Sequence, residues 1–387
     1  MKENKLTIKI AIVFIALTQG LQHSISPVLA DIREAYPSVG VSTLQTLITV
    51  PALMCVVIAL ASGWLVRKIP KKRILLFGMV ILGVCGVIPF LHDSFALLFF
   101  SRALLGVGLG ISTALNAAVI AEHFEGRERA AVMGLQGAGI GTGMLLCSLL
   151  GGLLGAIYYK YAYFVHGIGF VSLLVIWLFL PDRPIVPDKE AKKVRLNAAV
   201  GKISLLTAYE FFFLFIFVTN IAMHLSGNLK GDSSVAGLLT GVFSGIQIVA
   251  GLLLGRISRL LQGYILPVAM LSFAAGCGFL VGFPDVLPML LLGAMFCGLS
   301  QGVFAPQATF EAVNAVEPLS AAMASACIAV AMNLPQFVTP YCVNSLAKLI
   351  FGEVSTSNAY TIAMICMSAL PLLLIAVRRF QPPYKTK

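Results

Sequence analysis

Pro181-Asp-Arg-Pro-Ile-Val-Pro-Asp-Lys-Glu-Ala-Lys-Lys-Val-Arg-Leu-Asn197 is the one long polar stretch in this chain, and it lies almost at the middle of its 387 residues. Three prolines and a mixture of charges are linker composition. Working outward, apolar runs long enough to cross a bilayer lie near 7–30, 42–66, 72–91, 95–122, 128–157 and 161–181 on one side. Six more lie near 202–228, 235–256, 263–282, 286–312, 319–349 and 357–378 on the other. A helix needs roughly 20 apolar residues to cross hydrocarbon, where the backbone must satisfy its own polar groups. The expected fold is therefore an all-α membrane protein with twelve transmembrane helices, spans 1 to 12. It divides into an N-terminal six-helix bundle over 1–181, a cytoplasmic linker over 182–201 and a C-terminal six-helix bundle over 202–387.

Composition excludes a soluble globular protein. The chain is 59% apolar and 11% charged, where water-soluble domains carry about 45–50% and about 25%. The net charge of +11 sits in short gaps between apolar runs, which is a topology signal and not a nucleic-acid footprint. With both termini in the cytoplasm, inner segments collect 22 Lys and Arg and outer segments only Arg33, Lys160, Lys230 and Lys348. Positive residues stay on the cytoplasmic side during insertion, so this split predicts a multi-pass cell-membrane protein with that orientation. The eight cysteines fall inside apolar runs without a CxxC spacing, so they read as packing residues and neither metal nor redox chemistry is expected. The run from about Ile8 to Ala30 is too long for a signal-peptide core and lacks a small-residue cleavage site; it reads as span 1.

The halves resemble each other, as the repeats of transporters do. Gly106-Val-Gly-Leu-Gly110 in span 4 aligns with Gly298-Leu-Ser-Gln-Gly302 in span 10, and Glu125 then falls on Glu317. Thr18-Gln-Gly-Leu-Gln-His23 in span 1 lies opposite Thr219-Asn-Ile-Ala-Met-His224 in span 7, and the ends of spans 2 and 8 read Gly63-Trp-Leu-Val-Arg-Lys-Ile69 and Gly251-Leu-Leu-Leu-Gly-Arg-Ile257.

On these residues the whole chain resembles the major facilitator superfamily. The family's gating motif between spans 2 and 3 is matched by Gly63, Lys68, Lys71, Lys72 and Arg73, while Arg67 and Pro70 stand where the family usually has aspartate and glycine. Arg102-Ala-Leu-Leu-Gly106-Val-Gly108 is similar to its span 4 signature, with Leu105 in place of a frequent glutamine. Span 5 resembles the glycine-rich signature of drug:proton antiporters through Gly137, Gly141, Gly151, Gly152 and Gly155 among others, without the usual proline. In lipid such small residues let helix backbones approach closely, which serves generic packing as well as a sliding interface. The resemblance implies two pseudo-symmetric bundles working by alternating access.

No GxxxxGK[ST] occurs, so the chain carries no nucleotide-hydrolysing motor; no HExxH occurs, the GxSxG spelling of Gly298-Leu-Ser-Gln-Gly302 lies inside an apolar run, and neither an enzyme nor a cofactor is expected. Energy then comes from a gradient, and the coupling groups are sought among the few ionisable residues inside the spans. Each costs about 2.5–3.5 kcal/mol at a helix centre on insertion scales. Glu210 lies eight residues beyond Lys202, about 12 Å into span 7 and near the middle of a roughly 30 Å core. A carboxyl group there can load and release a proton, and it is the expected proton-coupling acid. The alternative is a glutamic acid hydrogen-bonded to a neighbouring helix for structure. Arg102, similarly deep in span 4, keeps its charge and must find an acid, carbonyls, water or an anionic substrate. The resemblance associates it with conformational or proton-relay duty, ahead of substrate binding or a structural tie.

His23 and His224 occupy equivalent points of spans 1 and 7, where a histidine either senses pH or sits as an amphipathic interface residue. Spans 1, 4, 7 and 10 line the cavity in the resembled fold, and here they carry Gln19, Gln22, Asn116, Asn220, Gln301 and Gln307. Amides, aromatic rings and methionines suit an amphipathic ligand. Glu122, Glu125, Arg127, Glu128 and Arg129 form a loop that can pair with the Arg67 to Arg73 cluster in one state and part from it in another. The expectation is a monomeric secondary carrier exporting a small amphipathic compound in exchange for protons. Its rivals are an uptake symporter for an organic anion and a non-transporting sensor of the same shape.

Overall fold

A computed structural model describes residues 5–66, 68–182, 197–316 and 321–376. Among them there are helices and connecting turns and no strand. Arg67, Glu317, the body of the Pro181 to Asn197 stretch and the C-terminal end of the chain lie outside the described residues. Chain packing divides the molecule into two units. One gathers Met1–Ala191 with Ser233–Gly241, the other Lys192–Asp232 with Val242–Lys387.

The first unit holds α1 (Lys5–Leu17), α2 (Leu29–Ala35), α3 (Val41–Leu65), α4 (Lys71–Val84), α5 (Phe95–His123), α6 (Gly126–Gly155) and α7 (Gly167–Phe179). The first run was expected as one helix over 7–30, and it is broken. Between α1 and α2 the chain winds more tightly as 3-10 turns over Thr18–His23 and Ser26–Val28. Pro27 brings no N–H and its ring crowds the carbonyl four residues back. Thr18 Oγ1 donates to Ile15 O (2.7 Å) and Ser24 Oγ to Leu21 O (2.9 Å), so hydroxyls bond carbonyls at i−3 and compete with the α-helical ladder.

The second unit holds α8 (Ala198–His224), most of α9 (Ser233–Leu261), α10 (Ile265–Gly282), α11 (Leu287–Asn314), α12 (Ala321–Phe351) and α13 (Thr356–Ala376). Asn197 caps α8 by accepting from Val200 N–H (3.1 Å), which satisfies one orphan donor of the first turn. Residues 198–201, expected in the linker, are therefore helical. The described residues contain eleven stretches long and apolar enough to cross a membrane, against the twelve expected. The difference lies at Ser233–Gly282, one 50-residue stretch in which α9 and α10 meet at the short turn Gln262–Tyr264 without a polar loop.

The repeat is visible in atomic contacts inside each unit. A Cβ added at Gly106 or Gly110 of α5 would lie 2.4 Å from Pro51 O or 2.9 Å from Cys55 O of α3. At Gly298 or Gly302 of α11 it would lie 2.2 Å from Phe243 O or 2.6 Å from Gln247 O of α9. Both partner pairs and both glycine pairs are related by the same offset of 192 residues. The contact register thus sets Pro51 against Phe243, one helical turn from the register implied by matching Gly63 with Gly251. That match rested on similar helix ends, whereas the contacts are fixed by which residues lack a side chain.

Candidate functional site

In the second unit the site centres on Glu210, the only buried carboxylate among the described residues. It projects from α8 toward α11, where Ser300 Oγ donates to Glu210 Oε1 at 2.7 Å. Glu210 Oε2 is buried and accepts from none of the described residues. Next to Ser300, Gln301 is also buried, and its Oε1 meets no donor; the same holds for Gln247 Oε1 on α9. Phe217 of α8 stacks on Phe243 of α9 at 4.8 Å, and Gly298 and Gly302 seat α11 on the same stretch of α9. The three helices α8, α9 and α11 thus pack on one another, and each carries a buried side-chain oxygen with open hydrogen-bonding capacity, on Glu210, Gln247 and Gln301. Ser300 was overlooked in the sequence, although it lies inside the quoted Gly298 to Gly302 motif. A hydroxyl between spaced glycines was its signal.

Asn220, Gln307 and His224 of this unit are committed to partners. Asn220 Nδ2 donates to Ile216 O (2.9 Å) and toward Thr219 Oγ1 (3.2 Å), and Gln307 Nε2 donates to Glu311 Oε1 (2.8 Å). His224 bridges three helices. Its Nε2 lies 2.8 Å from Leu280 O, its Nδ1 2.9 Å from Thr356 Oγ1, and its ring stands edge-on to Tyr360. A carbonyl only accepts, so Nε2 carries a proton and the ring ties α8, α10 and α13 together.

In the first unit Arg102 is fully buried. Its Nε donates to Leu47 O (2.8 Å), Nη1 to Leu21 O (3.3 Å) and Nη2 to Gln22 O (2.6 Å). None of the ion pairs among the described residues involves it. Of the alternatives open to this arginine, carbonyls are the ones it has found. Gln19 faces α5, accepting from Thr113 Oγ1 (2.9 Å) and donating to Leu109 O (3.5 Å). Asn116 Nδ2 donates to Ile12 O (3.2 Å). His23 is buried within the tightly wound segment, and Gln22 lends its backbone carbonyl to Arg102.

The α6 glycines face different ways. A Cβ at Gly143 would lie 2.1 Å from Leu17 O, at Gly151 2.0 Å from Ser24 O and at Gly155 2.0 Å from Val28 Cγ1. One ridge therefore packs on the broken first span. Gly152 instead faces Ser233 O and Gly237 at the start of α9, within the same unit, where Ser233 also donates to Asp31. Gly141 is buried in α6, and Gly137 opens onto space with nothing near. Of the residues expected to form a gating motif, Gly63 lies in the last turn of α3, Lys68 is exposed in the turn after it, Lys71 pairs with Glu122 (2.8 Å), Lys72 Nζ donates to Trp177 O (2.9 Å), and Arg73 stands 3.7 Å from Asp182. Glu128 pairs with Lys5 (2.6 Å) and Lys9 (3.0 Å).

A family model described as Major Facilitator Superfamily matches residues 9–213. The cyanate transport protein CynX of Escherichia coli (strain K12) is 31% identical over 117 residues, and that match spans 30% of this chain and 30% of CynX. Among solved structures, a bacterial homolog of the human lysosomal transporter Spinster has a TM-score of 0.72 at 16% identity, covering 98% of this chain and 96% of its own. A D-xylose–proton symporter gives 0.73 at 14%, over 97% and 98%. The POT family transporter PepTSo gives 0.77 at 10%, over 97% and 98%. At these identities the likeness is one of fold.

Proposed function

The chain belongs to the major facilitator superfamily, and on that premise we propose that this transporter is a twelve-span secondary carrier exporting a small amphipathic compound in exchange for protons, with Glu210 as the coupling acid. The twelfth span comes from Ser233–Gly282, whose 50 residues reach about 75 Å at 1.5 Å per residue, more than twice the hydrocarbon core. The stretch is interrupted at Gln262, which has a φ of +47°. An even number of crossings puts both termini on one side, and the distribution of Lys and Arg makes that side the cytoplasm of a cell-membrane protein.

The observation that carries the coupling reading is the buried Glu210, held by Ser300 through one oxygen and free to bind a proton through the other. Its test uses purified chain in proteoliposomes with an imposed pH gradient and a panel of labelled amphipathic compounds. The expected result is gradient-driven movement that Glu210→Gln abolishes while counterflow at equal pH persists. Movement driven equally well by the variant overturns the assignment. A second reading, proton-coupled uptake of a small anion, is favoured by the partial similarity to a cyanate transport protein; the sign of the gradient effect separates the two.

A further inference from the structure

The break in the first span lies in a slot. On one side the α6 backbone presses against it, with Gly143 at Leu17 O and Gly20, and Gly151 at Ser24 O. On the other the Arg102 guanidinium reaches in from α5 and takes two consecutive carbonyls, Leu21 O and Gln22 O, while its Nε holds Leu47 O of α3. Carbonyls in a 3-10 turn are poorly aligned for the α-helical ladder, and in a fully buried place an unsatisfied one is costly. Leu21 O also accepts from Ser24 N–H (3.3 Å) and Ser24 Oγ (2.9 Å), so the strongest hold of the guanidinium on the break is its 2.6 Å bond to Gln22 O. A planar fork with five fixed donors suits two adjacent carbonyls, and an ammonium does not replace it. An anion binding here would have to displace backbone carbonyls at 2.6–3.3 Å.

We propose that Arg102 is a positioning residue: it holds the first span broken over Thr18–His23 and so sets Gln19 and Gln22, and it is neither an anion site nor a proton carrier. The local claim stands on unit-one geometry alone; only its consequence for transport rests on the carrier reading.

The test is hydrogen exchange, followed by mass spectrometry, on the full chain in lipid nanodiscs for wild type, Arg102→Gln and Arg102→Lys. Exchange over 18–28 is expected to rise roughly tenfold or more in the glutamine variant, less in the lysine variant, and to stay unchanged in α8. Wild-type exchange over 18–28 in the glutamine variant overturns the proposal. If that variant does not fold, Arg102→Lys alone decides by the same criterion. Potassium nitrate, compared with potassium gluconate, is expected to leave the unfolding temperature of wild type unchanged. A nitrate-specific rise that is lost in Arg102→Gln overturns the proposal in favour of an anion site. Exchange does not involve the coupling ion, so a failure of Glu210 as coupling acid leaves this result standing. A loosened segment accompanied by full transport overturns the positioning role and not the carrier.

Discussion

Ser300 gives its hydroxyl hydrogen to Glu210 Oε1 across 2.7 Å, and the two belong to different helices of the same unit. Removing that donor leaves a buried carboxyl oxygen without its partner, at a cost of about 1–3 kcal/mol. Ser300→Ala is therefore expected to lower the unfolding temperature in detergent at pH 7. Glu210→Gln keeps an oxygen for Ser300 and is expected to unfold close to wild type. If the two variants were destabilised equally, the loss could not be assigned to this hydrogen bond.

The shared register of the glycine contacts leads to a second expectation. Gly106→Ala and Gly298→Ala place a methyl 2.4 Å from Pro51 O and 2.2 Å from Phe243 O. Backbone on both sides cannot yield cheaply, so each is expected to cost about 1–3 kcal/mol. Gly137→Ala meets nothing within reach and is expected to be neutral or to stabilise by about 0.4–1 kcal/mol. Thermal unfolding of the three purified variants checks the ordering.

Elements legible in the sequence were those set by the bilayer. Runs of apolar residues gave the helices, and a lone acid inside one of them, Glu210, stood out because its side chain is expensive there. Arg102 was visible for the same reason, but its partners were not, since backbone carbonyls carry no residue signature. The break at Thr18–His23 was overlooked because hydropathy hardly changes through it, although Pro27 and the hydroxyls of Thr18 and Ser24 were present. The connection expected over 257–262 lies later, at Gln262–Tyr264 after an α9 that runs on to Leu261, and too few polar residues surround it to divide the apolar stretch by composition.

Glu128 provides a pH dependence outside the membrane-spanning segments. Hydrogen bonds from Lys5 and then Lys9 hold its carboxyl below the usual range. A carboxylate with a depressed value in the folded state stabilises fully above its unfolded value, about 4.3, and that contribution is lost as pH falls through the folded value. Thermal stability of wild type is thus expected to fall more steeply than that of Glu128→Gln as pH drops below about 4.3. All three side chains are partly exposed, so the difference is expected to shrink in high salt.

Lys71 and Glu122 connect the start of α4 to the end of α5 at 2.8 Å, with about a third and a fifth of their side-chain surfaces exposed. This contact joins the expected gating motif to the last turn of α5, in a chain that carries Arg67 where the resembled family usually has aspartate. If it holds one conformation of the first unit, Lys71→Glu places two carboxylates together and Glu122→Lys two ammonium groups, and either repulsion depopulates that conformation. The double reversal restores attraction with the signs exchanged. Single variants are therefore expected to slow transport several-fold at unchanged expression, and the double variant to recover most of the rate. Measured pairs of this exposure couple by about 0.2–1 kcal/mol, which corresponds to a roughly 1.4- to 5-fold shift between two states. Transport rates of the four combinations in proteoliposomes of one lipid composition close the cycle. Independent effects of the two reversals, multiplying without rescue, would show that the pair contributes nothing to the transport cycle.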